Sequence, residues 1–335
     1  MNRFFSQLLD NLIEFTVGRY RSWYTPSQFK PFDPAGIDWT ANPPEDFYAI
    51  PADPPDLTFE PPYTFNSDRI RSVFTFQSAY SSPDAVNNLV WGLSDQRIGR
   101  QSRAALVLVH GYMMNSFAPL RLFAEPLARQ GIDIYYLALP YHMERRPLGT
   151  WSGQYGLSSD VLRTINSFRQ GVMDVRWLLS WIQREREQPV FLTGLSLGAY
   201  TCCMAAVVDD RPAGLISLLG GADLAKIIFA GNSFQLIRKD LLQHGIDLHA
   251  LKKYWAGISP GNFQTKMTQK KILMVAGEHD PIITPDNSRA LWQAWGEPEI
   301  TWLPCGHASL SFYARTVGEL VEKFVNRRLE EIEDG

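Results

Sequence analysis

The stretch Gly194-Leu195-Ser196-Leu197-Gly198 decides how this chain is read. It follows the apolar run Pro189-Val190-Phe191-Leu192-Thr193, which predicts a short buried strand, and precedes Ala199 to Val208, which predicts a helix. A serine on a sharp strand-to-helix turn projects its hydroxyl at the carboxyl end of a sheet. Glycines two residues to either side let the backbone turn that tightly. The pentapeptide alone turns up by chance in many chains, so its weight comes from these flanks and from segments further along.

A serine hydroxyl is a poor nucleophile at neutral pH and needs a base, and the base needs an orienting acid. Among six histidines, His307 stands in Pro304-Cys305-Gly306-His307-Ala308, between a predicted strand at Glu299 to Leu303 and a closing helix at Leu310 to Leu329. Asp280 stands in Gly277-Glu278-His279-Asp280-Pro281, after the predicted strand Lys271 to Val275. From that carboxyl strand end a carboxylate can reach a histidine in the next loop. Glu278 and Asp223 are the alternatives for the acid. A tetrahedral oxyanion also needs two donors. One is the backbone N–H of Leu197. The other is sought in His110-Gly111-Tyr112-Met113-Met114, after the predicted strand Ala104 to Val109. By analogy with His-Gly loops it is the N–H of Tyr112, with Met113 as the alternative.

Working outward, Phe117 to Gln130 predicts a helix, Ile132 to Leu137 a strand, Asp160 to Glu187 a long helix, and Leu215 to Leu219 another strand. Alternating buried strands and helices imply an α/β fold with a mostly parallel sheet covered on both faces. Arg69 to Gln77 and Asn88 to Leu93 predict two antiparallel strands ahead of it. Residues 26–62 hold ten of the 22 prolines, interleaved with aromatics, which predicts an extended arm pinned to the main body. The expected organisation is an N-terminal helix and arm over 1–68, a core over 69–221 and 268–335, and a helical cap insert over 222–267. The insert is far longer than an ordinary connection, and its apolar positions at helical spacing must be buried against something.

Together the His-Gly loop, the Ser196 turn, Gly277 to Pro281 and Cys305-Gly306-His307-Ala308-Ser309 resemble the alpha/beta-hydrolase superfamily over about Ala104 to Phe324. The resemblance implies an eight-stranded sheet, hydrolysis through an acyl-enzyme, the chain order Ser196, Asp280, His307, and no cofactor. The segment Leu139-Pro140-Tyr141-His142-Met143-Glu144-Arg145-Arg146-Pro147 departs from the Asp-x-x-Gly-x-Gly turn of the better-known lipase branches. It is similar to a poorly characterised branch of alpha/beta-hydrolase domain proteins. Arg145 and Arg146 are expected in a loop overlooking the site, holding a carboxylate or phosphate or else pairing with acidic groups of the insert. Met113 and His142 join them as candidate substrate contacts. The function expected is a serine esterase acting on a small-molecule or lipid-like ester. A peptidase or acyltransferase on the same residues is the alternative, and a non-catalytic binding protein the alternative of another class.

At 335 residues with 45% hydrophobic and 13% aromatic residues, the chain can bury a sizeable core. A net charge of −3 without basic runs argues against nucleic-acid binding. Cys202, Cys203 and Cys305 form no disulfide framework, so a reduced, cytoplasmic setting is expected. No CxxC or HExxH spacing supports a metal. Phe4, Phe5, Leu8, Leu9, Leu12, Ile13 and Phe15 recur at helical spacing. They predict a helix packed on the domain surface, with peripheral membrane contact the less favoured alternative.

Overall fold

A computed structural model describes residues 27–334 except 38, 40–42, 67, 100 and 101. The helix expected at Phe4 to Phe15 lies outside them. The strands are β1 (Thr58–Phe59), β2 (Tyr63–Asn66), β3 (Arg69–Gln77), β4 (Leu89–Arg97), β5 (Ala105–Val109), β6 (Asp133–Leu137), β7 (Val190–Leu195), β8 (Gly214–Leu218), β9 (Ile272–Gly277) and β10 (Glu299–Leu303). They form one sheet in the order β1-β3-β4-β6-β5-β7-β8-β9-β10, with β2 also pairing β3. The strands from β5 to β10 run parallel, and β1 to β4 are antiparallel additions at one edge. The sheet thus carries ten strands where the resemblance implied eight. The extra pair comes from the proline-rich arm, where Thr58 and Phe59 pair with Thr75 and Phe74.

The parallel strands are apolar throughout because both faces are covered. In β5, Ala105, Val107 and Val109 join one core while Leu106 and Leu108 join the other. Two helices, α1 (Arg121–Arg129) and α8 (Ala314–Glu333), cover the second face through Phe123, Leu127, Val317 and Val321. On the first face lie α2 (Val161–Arg186) and α3 (Leu197–Val208). Asp160 caps α2 by accepting from the N–H of Arg163. Every residue of α3 is buried, which places it between sheet and surrounding helices, directly behind Ser196.

The insert contributes α4 (Leu224–Phe229), α5 (Gln235–Gln243) and α6 (Leu248–Tyr254). Leu224, Ile228, Leu241, Leu251 and Trp255 are fully buried in the first core, so the insert is knit into the body. The arm straps it from outside. Tyr48 donates to the carbonyl of Gly257 at 2.9 Å, Trp39 Nε1 to that of Tyr254 at 3.0 Å, and Phe29 stacks on His244 at 3.9 Å between ring centroids. Asp240 gathers the arm directly, accepting from the hydroxyls of Ser27 and Ser159 and from the N–H groups of Gln28 and Phe29. A further helix, α7 (Pro285–Ala294), was not read from the sequence. It has few apolar positions, yet Asn287 fixes it by donating to Tyr200 and to the carbonyl of Asp223.

The order β6-β5-β7 marks the point where the parallel sheet reverses direction, and the crevice of such sheets opens at the carboxyl ends there. Close backbone approach at this place is what the two glycines allow. A Cβ on Gly198 would lie 2.3 Å from the carbonyl oxygen of Val109, and one on Gly194 would lie 2.2 Å from that of Gly198. Gly198→Ala should therefore push α3 away from β5. The expected cost is about 1–3 kcal/mol, visible as a lowered midpoint in urea denaturation. An unchanged midpoint would show the contact to be slack.

Candidate active site

Ser196 sits between β7 and α3 with φ of +55° and ψ of −113°, a conformation that costs a non-glycine residue about 1–3 kcal/mol. Its N–H donates to the carbonyl of Leu218 at 2.8 Å, so the neighbouring strand β8 helps hold the turn. The hydroxyl lies 2.9 Å from Nε2 of His307, and Nδ1 of the same ring lies 2.7 Å from Oδ2 of Asp280. The carboxylate is placed in turn: its Oδ1 accepts from the N–H groups of Ile282 and Ile283 at 2.8 and 2.9 Å. An ionised carboxylate only accepts, so the ring proton belongs on Nδ1 and a lone pair on Nε2 faces the serine. The loops of Asp280 and His307 are also clasped by backbone. Glu278 N–H donates to Leu303, and His279 N–H to Cys305. Of the rival acids, Asp223 caps α4 and pairs with Lys252 at 3.2 Å, while Glu278 is exposed.

Leu197 opens α3, where the first N–H groups have no acceptor within the helix. The loop after β5 passes close by, since a Cβ on Gly111 would stand 3.5 Å from that of Ser196. His110, which the sequence reading passed over, anchors this loop. Its Nε2 accepts from Leu139 N–H at 2.9 Å, so the proton is on Nδ1, which donates to the carbonyl of Gly111 at 2.7 Å. With the Gly111 carbonyl turned toward His110, the planar trans peptide turns the Tyr112 N–H the opposite way. The signal was in the sequence: a histidine directly at a strand end, beside a glycine.

A cavity of about 510 Å³ opens on Ser196 and His307. Met113, Met114, Leu122, Phe123, Phe234, Ile282 and Leu310 give it mostly apolar walls. Phe234 and Ser233 are the insert's contribution, from the turn between α4 and α5. Among the described residues no group of three or more metal-ligating side chains is found, and no helix is long and apolar enough to cross a membrane.

Three candidate substrate contacts lie elsewhere, for none of His142, Arg145 and Arg146 borders this cavity. Arg145 is fully buried and pairs with Asp174 of α2 at 2.9 Å, with further bonds to the carbonyls of Asn87 and Ala138. Its partner is therefore neither a ligand nor an acid of the insert. Arg146 is exposed and donates to the carbonyl of Met143. His142 is buried beneath Tyr112 and beside His110, with Nδ1 bonded to the carbonyl of Pro140 and Nε2 facing Gly153. Met113, by contrast, does line the cavity.

Comparison with known proteins places the chain among similar molecules. Residues 95–249 match the family model described as "Alpha/beta hydrolase domain containing 18". An uncharacterized protein of Mycobacterium tuberculosis is 32% identical over 237 residues, which are 69% of this chain and 55% of that one. The chain thus spans about half the length of this relative. Acetyl xylan esterase 1 from Thermoanaerobacterium sp. superposes with a TM-score of 0.65 at 17% identity, covering 92% of this chain and 96% of that chain. The acetyl xylan esterase of Paenibacillus sp. R4 gives a TM-score of 0.63 at 14% identity, with 91% and 98% coverage. At such identities the likeness is one of fold.

The two buried histidines contribute to the acid response of the fold. Burial lowers the pKa of His110 to about 4 and that of His142 well below its ordinary value. Both stay neutral in the native state where the unfolded chain already binds protons, so stability falls as pH drops from about 6.5 toward 4. His142→Phe keeps a ring of similar shape and removes one of these protonation sites. The melting temperature of the variant should decline less steeply over that window. A parallel decline in both proteins would remove His142 from the account.

Proposed function

We propose that the chain is a serine hydrolase of the alpha/beta-hydrolase superfamily that cleaves a carboxylic ester, with an apolar acyl group in the cavity at Ser196, a reading that the family-model match and the fold likeness support. The observation that carries this reading is the directed chain of hydrogen bonds from Ser196 through His307 to Asp280. Fold alone would not carry it, since one fold serves many chemistries.

Ser196 Oγ attacks the ester carbonyl carbon as its proton passes to Nε2 of His307. The tetrahedral oxyanion forms beside Leu197 N–H and Tyr112 N–H, which serve as its donors. Collapse breaks the bond to the alcohol oxygen, and that oxygen takes the proton from His307. Water, deprotonated by the same nitrogen, then attacks the acyl-enzyme and releases the acid, returning a proton to Ser196. Asp280 holds the imidazole with Nε2 unprotonated toward the serine and stabilises the imidazolium formed in each half-reaction. The acyl part is apolar because the walls around Ser196 are.

Ser196→Ala should abolish labelling by a fluorophosphonate probe and lower hydrolysis of p-nitrophenyl butyrate by about 10⁶-fold, with the melting temperature unchanged. Residual labelling at wild-type level would identify another nucleophile. Asp280→Asn keeps an acceptor for Ile282 and Ile283 but turns an amide donor toward Nδ1. The imidazole must then carry its proton on Nε2, and kcat should fall by on the order of 10⁴-fold with little change in KM. A fall of less than tenfold would assign the acid role to another group.

A further inference from the structure

Beyond the wall formed by Tyr112 and Phe234, whose rings lie 5.5 Å apart, there is a second cavity of about 220 Å³. It shares Tyr112, Ser233 and Phe234 with the cavity of Ser196. Tyr112 is braced in this wall by donating to the carbonyl of Leu157 at 3.0 Å. Its lining is the more polar of the two: beside Leu157, Leu236 and Ile237 it carries Ser27, Ser158 and Ser159 and the glutamines Gln28, Gln154 and Gln243.

The polarity of these groups is ordered. Ser27 and Ser159 both commit their hydroxyl protons to Asp240, leaving only oxygen lone pairs for a ligand. Asp240 itself also accepts from Gln28 and Phe29 at Oδ2, where Ser159 bonds too, while its Oδ1 accepts from Ser27 and faces His244. Burial works against its charge, but these four donors hold its carboxyl below the usual range. Ser158 differs. It is 1% exposed and its backbone is satisfied by Thr164, yet its hydroxyl has no partner among the described residues. A buried hydroxyl left without a bond costs about 1–3 kcal/mol, and Ser158 is one of the residues that line the cavity. Gln154 accepts from Trp151 N–H through Oε1, which leaves its amide hydrogens to donate.

We propose that this cavity binds the alcohol part of the ester and that this part is a neutral polyhydroxylated group, such as a glycerol or a single sugar ring. The assignment of the alcohol rests on the serine-esterase reading; the affinity for a polyol does not. Hydroxyls suit the lining because each brings both a donor, for the lone pairs of Ser27 and Ser159, and an acceptor, for Ser158 and Gln154. A phosphate or carboxylate brings acceptors alone and would face the lone pairs of Ser27 and Ser159 and the carboxylate of Asp240. Lys239 also lines this cavity, from an exposed position on α5. The substrate is then amphiphilic, with its acyl chain on one side of the Tyr112–Phe234 wall and its hydroxyls on the other.

The test uses saturation-transfer NMR on the full chain with methyl glucoside and glycerol as probes, comparing wild type with Ser158→Ala and Gln243→Trp. Ser158→Ala removes a hydroxyl that bonds nothing in the described protein, so its melting temperature should not fall. Gln243→Trp fills the cavity from an exposed position of α5. Polyol binding should weaken by about tenfold in both variants, and inorganic phosphate should not compete. In parallel, the ratio of kcat/KM for glycerol monobutyrate to that for p-nitrophenyl butyrate should fall by a similar factor. Equal polyol binding in all three proteins, or displacement by phosphate, overturns the proposal. An unchanged ratio with weakened binding overturns the assignment to the alcohol. Polyol binding lost in the variants of a protein that hydrolyses neither ester supports the polyol site and overturns the esterase reading alone.

Discussion

The site depends on one close approach of backbone to backbone. The start of α3 lies against the carbonyls of Val109 and His110, nearer than any side chain at Gly198 would permit. That approach brings the exits of β5 and β7 together at the reversal point of the sheet, and it leaves Ser196 in a left-handed conformation between them. The strain is held by structure that cannot yield locally. Parallel ladders flank β7 on both sides, and Leu218 of β8 takes the serine N–H. The loop after β5 is likewise held by His110, which joins it to the loop after β6. Preorganisation at the hydroxyl and beside it has its source in the sheet.

Much of this was legible in the sequence, for identifiable reasons. Strands covered on both faces read as continuous apolar runs, so β5, β6, β7 and β9 stood out. A serine between two glycines at a strand-helix junction reported the turn, and Asp280 and His307 each follow a strand at its carboxyl end. The arginine pair misled because two adjacent charges in a loop suggest exposure. What decides Arg145 is Asp174, a carboxylate set between Met173 and Val175 on the buried face of α2. A charge within an apolar stripe demands a partner, and that demand was the available signal. The strands β1 and β2 are too short, and too hemmed by proline, to show a period. Helix α7 rests on polar anchors such as Asn287, which no hydrophobic pattern registers.

The apolar cavity and the polar one differ in how their walls are supported. Around Ser196 most groups come from strand ends, the loops that follow them and the start of α1, with Ser233 and Phe234 added by the insert. The second cavity is bounded by residues 27–28, 151–159 and 233–243, three regions distant in sequence, and by Tyr112 from the loop after β5. No strand of the sheet lies among them.

Asp240 is where those regions meet, and this gives one carboxylate an architectural consequence. Arm, pre-α2 loop and insert are fastened by hydrogen bonds to the same two oxygens. Fluctuations that open one of them withdraw partners from the others, so the three should loosen as a single cooperative unit while the parallel ladder stays closed. The groups around the second cavity would then loosen together, apart from the strand ends that position Ser196, Asp280 and His307.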